Sequence, residues 1–196
     1  MTDEVAAAVV ALSAHLRLRL RAAGLETQAA LLDGLGSEHL ARKTSRGAYA
    51  VLAHLTAAVD HARGHLPVDV GAALSVVADA VSWTQTAAYV AQPPNADFLD
   101  GYAHATITAD AAAAVGLLLL GPHVDYPPHR HPADEVYLPL AGARWAHGDA
   151  LPPATEPAGT LLHHRPWQAH AMATGDQPLL ALYVWTGEVD VASAWC

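Results

Sequence analysis

The stretch from Gly121 to Trp145, GPHVDYPPHRHPADEVYLPLAGARW, constrains this chain more than any other. His129 and His131 stand two apart, Glu135 and Tyr137 stand two apart, and all four share a parity. In extended chain such side chains point the same way, so one face of a sheet can carry them all. The opposite parity carries Val136, Leu138 and Leu140, an expected core face. Two imidazoles and a carboxylate converging in one pocket are first-row metal ligands, and a fourth ligand from a distant strand completes such a set. His170, in RPWQAHAMAT, is the first candidate for it, with His164 or His163 as alternatives.

On either side of that stretch the chain follows two different grammars. Thr2, Asp3 and Glu4 predict a helix start, and Val5, Val9, Leu12, Leu16 and Leu20 recur at steps of three and four before Gly24. A shorter helix is expected around Thr27 to Leu32, ending in a Gly34-Leu35-Gly36 turn, a third from Gly47 to Arg63, a fourth from Asp69 to Val81, and a fifth over Ser82 to Val90. Pro93-Pro94-Asn95 breaks this regime. Downstream, strands are expected at Tyr102 to Thr108, Val115 to Leu120, Glu135 to Leu140, Ala143 to His147, Thr160 to His164, Gln168 to Ala173 and Leu179 to Trp185. Glycine and proline turns separate them, which suggests a sandwich or barrel. Pro139 asks for an edge or a bulge. The expectation is an α+β chain, with helices over 1–92 packing on a β-barrel over 98–196.

Composition narrows the function classes. A net charge of -9 argues against nucleic acid or an anionic membrane as the main partner. The only cysteine is Cys196, so an intrachain disulfide and a cysteine-rich zinc site are both excluded. MTDEVAAAVV puts acids where a signal peptide needs a basic start, and VGLLLLG is too short to span a bilayer. A cytoplasmic protein is expected, and the exposed side of the helical half offers a surface for a homodimer.

With 13 histidines in the chain, a lone His-x-His says little; His61, His65 and His147 read as surface or satisfied polar residues. The extended pattern His129-x-His131-x-x-x-Glu135, followed by Gly142, reproduces the first cupin motif, and Gly159, Pro166 and His170 supply a shortened second one. The second motif's usual glycine after the proline is replaced by Trp167, with Gln168 after it, and Thr174 stands where asparagine is common. Tyr126, His129, His131, Glu135, Tyr137, Leu140 and Gly142, with Pro166-Trp167-x-x-His170-Ala171-Met172, resemble the cupin-type dimethylsulfoniopropionate lyases of the DddQ group. The resemblance is specific over residues 98–187 and weak before that. It implies a cupin double-stranded β-helix behind a helical N-terminal part, and one divalent transition metal ion held by His129, His131, Glu135 and His170. It also implies Tyr137 as the base, with Tyr126 assisting.

The implied reaction removes the proton beside the carboxylate of a small zwitterion and expels dimethyl sulfide, leaving acrylate. A divalent cation on the carboxylate would stabilise the developing charge, and would favour the phenolate of a tyrosine whose reference pKa is about 10. The sulfonium end wants aromatic faces, for which Trp185 is the first choice, with Tyr183, Trp167, Trp145 and Tyr102 also in the strand-rich half. The ligands accept zinc, iron, manganese or nickel alike. Two other readings stay open: an iron-dependent dioxygenase, and a non-catalytic cupin that senses a metal or ligand.

Overall fold

In a computed structural model, residues 2–33, 35, 49–148 and 153–196 of the chain are described. Helix α1 runs Asp3–Ala22, with Thr2 Oγ1 accepting the Val5 N–H at its start, acids in its first turn and Arg19 and Arg21 in its last. Gly24, at φ 75°, turns the chain into α2, Glu26–Asp33. A 3-10 turn over Ala50–His54 leads into α3, Leu55–Arg63, and α4 follows at Val68–Ala80. The helix expected from Gly47 is thus α-helical only from Leu55, and Gly47, like Gly34 and Gly36 of the expected turn, lies outside the described residues.

The helix expected over Ser82–Val90 shrinks to α5, Ala87–Ala91. The residues before it are drawn into the sheet instead. Thr84 exchanges both backbone hydrogen bonds with His104, and the Gln85 amide donates to the carbonyls of Leu99 and Tyr102. Extended backbone gains partners here that a helix would not provide.

Among the described residues ten strands follow: β1 Tyr102–Ala109, β2 Ala113–Leu120, β3 Asp125–Arg130, β4 Asp134–Pro139, β5 Ala143–His147, β6 Ala154–Glu156, β7 Leu162–His164, β8 His170–Ala173, β9 Leu179–Thr186 and β10 Ala194–Trp195. They form two antiparallel five-stranded sheets, in the orders β1-β2-β9-β4-β7 and β10-β3-β8-β5-β6. This is the jelly-roll architecture, behind an N-terminal helical region. Strands β3, β6 and β10 were not among those expected. Each is short or proline-bearing, so its alternation is weak.

Pro139 occupies neither a bulge nor an edge strand, since β4 lies between β9 and β7. It is tolerated because β7 pairs only with Glu135 to Tyr137, so the chain is locally an edge where Pro139 falls.

Two cores result. Outside the first sheet, Val136 and Leu138 of β4, Leu180, Leu182 and Val184 of β9, and Val115, Leu117 and Leu119 of β2 pack with Leu12, Leu16, Leu20, Leu74 and Val77 of the helices. Between the sheets lie Tyr102, Leu118, Tyr126, Tyr137, Trp145, Met172 and Tyr183. With the helices covering their outer face, β2 and β9 are buried on both sides, which explains their near-continuous apolar runs. Polar ties reinforce the junction: Gln28 of α2 donates to Asp134 Oδ1 at 2.8 Å, His163 Nε2 meets the same oxygen at 2.9 Å, and Arg19 donates to the Gly159 carbonyl. Among the described residues no helix is long and apolar enough to cross a membrane.

Candidate metal centre

Three buried side chains from both sheets meet inside the barrel. His131, one residue past β3, Glu135 in β4 and His170 in β8 each place a ligand atom within 4.8 Å of the others. His131 Nε2 stands 3.0 Å and His170 Nε2 3.1 Å from the same atom, Glu135 Oε2. The other carboxylate oxygen accepts the indole N–H of Trp185, at 2.5 Å.

The imidazoles are aimed by the backbone. His131 Nδ1 donates to the Ala133 carbonyl, His170 Nδ1 to the Gln168 carbonyl and His129 Nδ1 to the Pro127 carbonyl, each at 3.0 Å. A carbonyl only accepts, so each Nδ1 carries the proton and a neutral ring presents its Nε2 lone pair. The lone pairs of His131 and His170 then face a carboxylate at hydrogen-bond range, and His170 Nε2, though buried, has no hydrogen-bond partner. Such an arrangement is repulsive unless positive charge lies among the three. Metal-binding histidines are held in this way, with the second nitrogen bonded to a carbonyl. The donor set therefore fits a divalent cation. Burial pushes the Glu135 carboxyl up; with a proton on Nε2 of the His131 and His170 rings in place of a metal, those rings hold it well below the usual carboxylate range.

His129 is buried beside this trio rather than in it. Its ring is 4.1 Å from the His170 ring, centroid to centroid, and lies flat on Tyr126 at 4.2 Å. Burial first, and the neighbouring His170 second, hold it well below the usual histidine range, so it is neutral. Tyr126 and His129 have opposite parity yet both face the interior, because the β3–β8 register shifts between them, at Pro127-Pro128.

Of the alternatives to His170, His163 points away to Asp134. His164 stacks on the His170 ring at 4.1 Å and 7° while its Nε2 meets His147 Nδ1 at 2.8 Å. Burial, with His170 next in effect, lowers the pKa of His164 to about 3.

Glu135, His129, Tyr126, Tyr137, Tyr102, Tyr183 and Trp185 all line one cavity of about 380 Å³. Burial first, then the neighbouring Glu135 carboxylate, push the pKa of Tyr137 well above the usual tyrosine value. Tyr183 fits because β2 has glycine opposite: a Cβ on Gly116 would stand 2.2 Å from the Tyr183 ring. Tyr102 is tied by its hydroxyl to Thr86 at 2.7 Å.

Trp167, expected at the substrate, is not among the lining residues. The turn after Pro166 puts it at φ 63°, its N–H donates to the His131 carbonyl, and the residue is 55% exposed. The tight turn that helps hold His131 thus sends the indole outward. Trp145 is fully buried between the sheets and is likewise absent from the lining. Sequence reasoning missed the second wall of the cavity, which comes from Thr84 to Ala87, at the entry to α5, and from Val189 to Ser193 before β10. Neither segment carries a motif; only their packing against the barrel mouth reveals them.

A jelly-roll barrel with histidines and a glutamate turned into its interior is a cupin. The chain belongs to the dimethylsulfoniopropionate (DMSP) lyase family, whose sequence profile matches residues 24–181. The dimethylsulfoniopropionate lyase DddQ of Ruegeria pomeroyi is 32% identical over 104 residues, 50% of this chain and 51% of that protein, so the match spans about half the length of that relative. The crystal structure of DMSP lyase DddQ from Ruegeria pomeroyi DSS-3 superposes with a TM-score of 0.75 at 23% identity, covering 99% of this chain and 97% of the other. A chain from the crystal structures of the DMSP lyases RdDddP and RnDddQII gives 0.65 at 23% identity, covering 81% and 84%. At that identity the superpositions speak to the fold.

Proposed function

We propose that this chain is a metal-dependent carbon-sulfur lyase that cleaves dimethylsulfoniopropionate to dimethyl sulfide and acrylate. The observation that carries the reading is Glu135, which belongs to the donor set of His131, Glu135 and His170 and also lines the same cavity as the Tyr137 phenol, in a chain of this family. His131, Glu135 and His170 would hold the ion, with His129 adjoining them; zinc, iron, manganese and nickel all suit such donors. A bound divalent ion supplies positive charge that draws in the substrate carboxylate and favours the phenolate of Tyr137.

Tyr137 is the base. Its oxygen takes the proton from the carbon beside the carboxylate, that C–H pair becomes the carbon-carbon double bond, and the carbon-sulfur bond breaks with its electrons leaving on sulfur. Tyr126 lines the same cavity and orients the substrate. Trp185, Tyr183 and Tyr102 offer aromatic surface to the sulfonium, and among the described residues no lysine or arginine lines the cavity to repel it.

Purified protein with its metal content measured is incubated with dimethylsulfoniopropionate, and headspace dimethyl sulfide, acrylate and dissolved oxygen are followed. Equal release of both products without oxygen uptake supports the lyase; metal-loaded protein that releases neither rules it out. Tyr137→Phe is expected to lower the rate about 10²- to 10⁴-fold while metal content is unchanged. Full activity in that variant removes Tyr137 from the role of base.

A further inference from the structure

The helical half, the barrel interior and the C-terminal strand meet at one side chain, Tyr89. It lies in α5 and is buried, and its hydroxyl oxygen accepts a hydrogen bond from the Tyr126 hydroxyl at 3.0 Å. The Tyr89 ring stacks on Trp195 of β10, with centroids 4.0 Å apart and planes at 20°, and meets the Tyr126 ring edge-on at 5.8 Å. Trp195 is secured from its other end, where Nε1 donates to the Gln92 carbonyl at 2.9 Å. Tyr126 lines the cavity and Tyr89 does not, so Tyr89 does not touch a bound substrate.

The direction of the Tyr126 bond matters. A phenol has one proton to give and lone pairs to receive with. The proton of Tyr126 is committed to Tyr89, away from the cavity, so its oxygen faces the cavity as an acceptor only. Deprived of the Tyr89 oxygen, this buried O–H must find another acceptor, because leaving it unpaired is costly. The cavity side is where it can turn.

We propose that Tyr89 is a positioning residue for the lyase reaction, acting through Tyr126 by holding that phenol's proton out of the cavity. The proposal rests on the lyase reading given above. The stacking on Trp195 makes the same residue an anchor for the end of the segment that walls the cavity, so the helical half takes part in the site instead of only covering the barrel.

Two measurements test it. First, metal-free protein labelled with [ζ-¹³C]tyrosine is compared with Tyr89→Phe, which keeps the ring on Trp195 and removes only the hydroxyl. The Tyr126 resonance, assigned by its loss in Tyr126→Phe, should move while that of Tyr49 stays. A Tyr126 signal at its original position overturns the proposal whatever the activity. Second, metal-loaded Tyr89→Phe should lose kcat about tenfold with KM within about twofold. Because Tyr89 acts through Tyr126, the double variant should be no slower than Tyr126→Phe alone. Independent, additive losses, or an unimpaired Tyr89→Phe, overturn it. Wild-type protein that releases no dimethyl sulfide defeats the lyase reading and this role with it. The two failures are told apart because the resonance experiment needs neither metal nor substrate.

Discussion

On β4, Val136 and Leu138 enter an aliphatic core beneath the helices, whereas Glu135 and Tyr137, one residue along, enter a barrel interior crowded with ionisable side chains. The first region asks little of each side chain beyond size and shape, and its apolar burial is favourable in itself. The second opposes folding at nearly every polar position. Burial raises the phenols of Tyr126 and Tyr137 and lowers the imidazole of His129. It is made tolerable by fixed partners: a carbonyl for each Nδ1, an indole for one carboxylate oxygen, a hydroxyl for Tyr126. The comparison teaches that stability and chemistry are drawn from opposite faces of the same strands. The aliphatic layer holds β4 and β9 in place, and the inner face can then carry groups that would not assemble on their own.

The sharpest test of that division is to strike the inner face alone. Glu135→Gln should lower bound metal to about one tenth of the wild-type content and activity about a thousandfold, read by elemental analysis and dimethyl sulfide release. Full metal occupancy in this variant would take Glu135 out of the ligand set. Striking the outer face should do the reverse. Leu182→Ala, in the middle of β9, should cost about 2–5 kcal/mol in a urea titration. Activity per folded molecule at low temperature should stay within about threefold, and a much larger loss would show the two faces to be coupled.

A smaller effect comes from His104, which lines the cavity and whose pKa burial lowers from 6.5 to about 4. Between these values the unfolded chain binds the proton and the folded one does not. The stability it contributes is therefore complete above about pH 6.5 and is lost progressively as pH falls toward about 4. Thermal midpoints of His104→Gln against pH should be flatter over that window, and an identical pH dependence would refute the assignment. The smallest effect is expected at Trp167, whose ring belongs to neither region. Trp167→Ala should leave KM within about twofold, and a large rise would return the indole to the substrate.

Much of the architecture is legible in the residues. The helical start at Thr2, the long strands β1, β2, β4 and β9, and the opposite faces of β4 follow from periods of 3.6 and 2. These periods are local, so they survive in a sequence read without its fold. The gathering of His131, Glu135 and His170 is legible as a motif, though a parity count alone does not explain it. His131 sits past the end of β3, and a shift at Pro127-Pro128 re-aims Tyr126.

The sequence by itself determined the long helices and strands, which of their faces are apolar and which side chains have the chemistry to bind a cation. Only the tertiary structure decided that Tyr89, Tyr126 and Trp195 share one cluster, that Trp167 turns outward, and that α1 to α4 lie on the first sheet while α5 meets the second. The reason is physical. Alternation is a property of neighbouring residues, whereas bringing residues 89, 126 and 195 together requires closing long loops, and only the packing of a complete barrel repays that entropy.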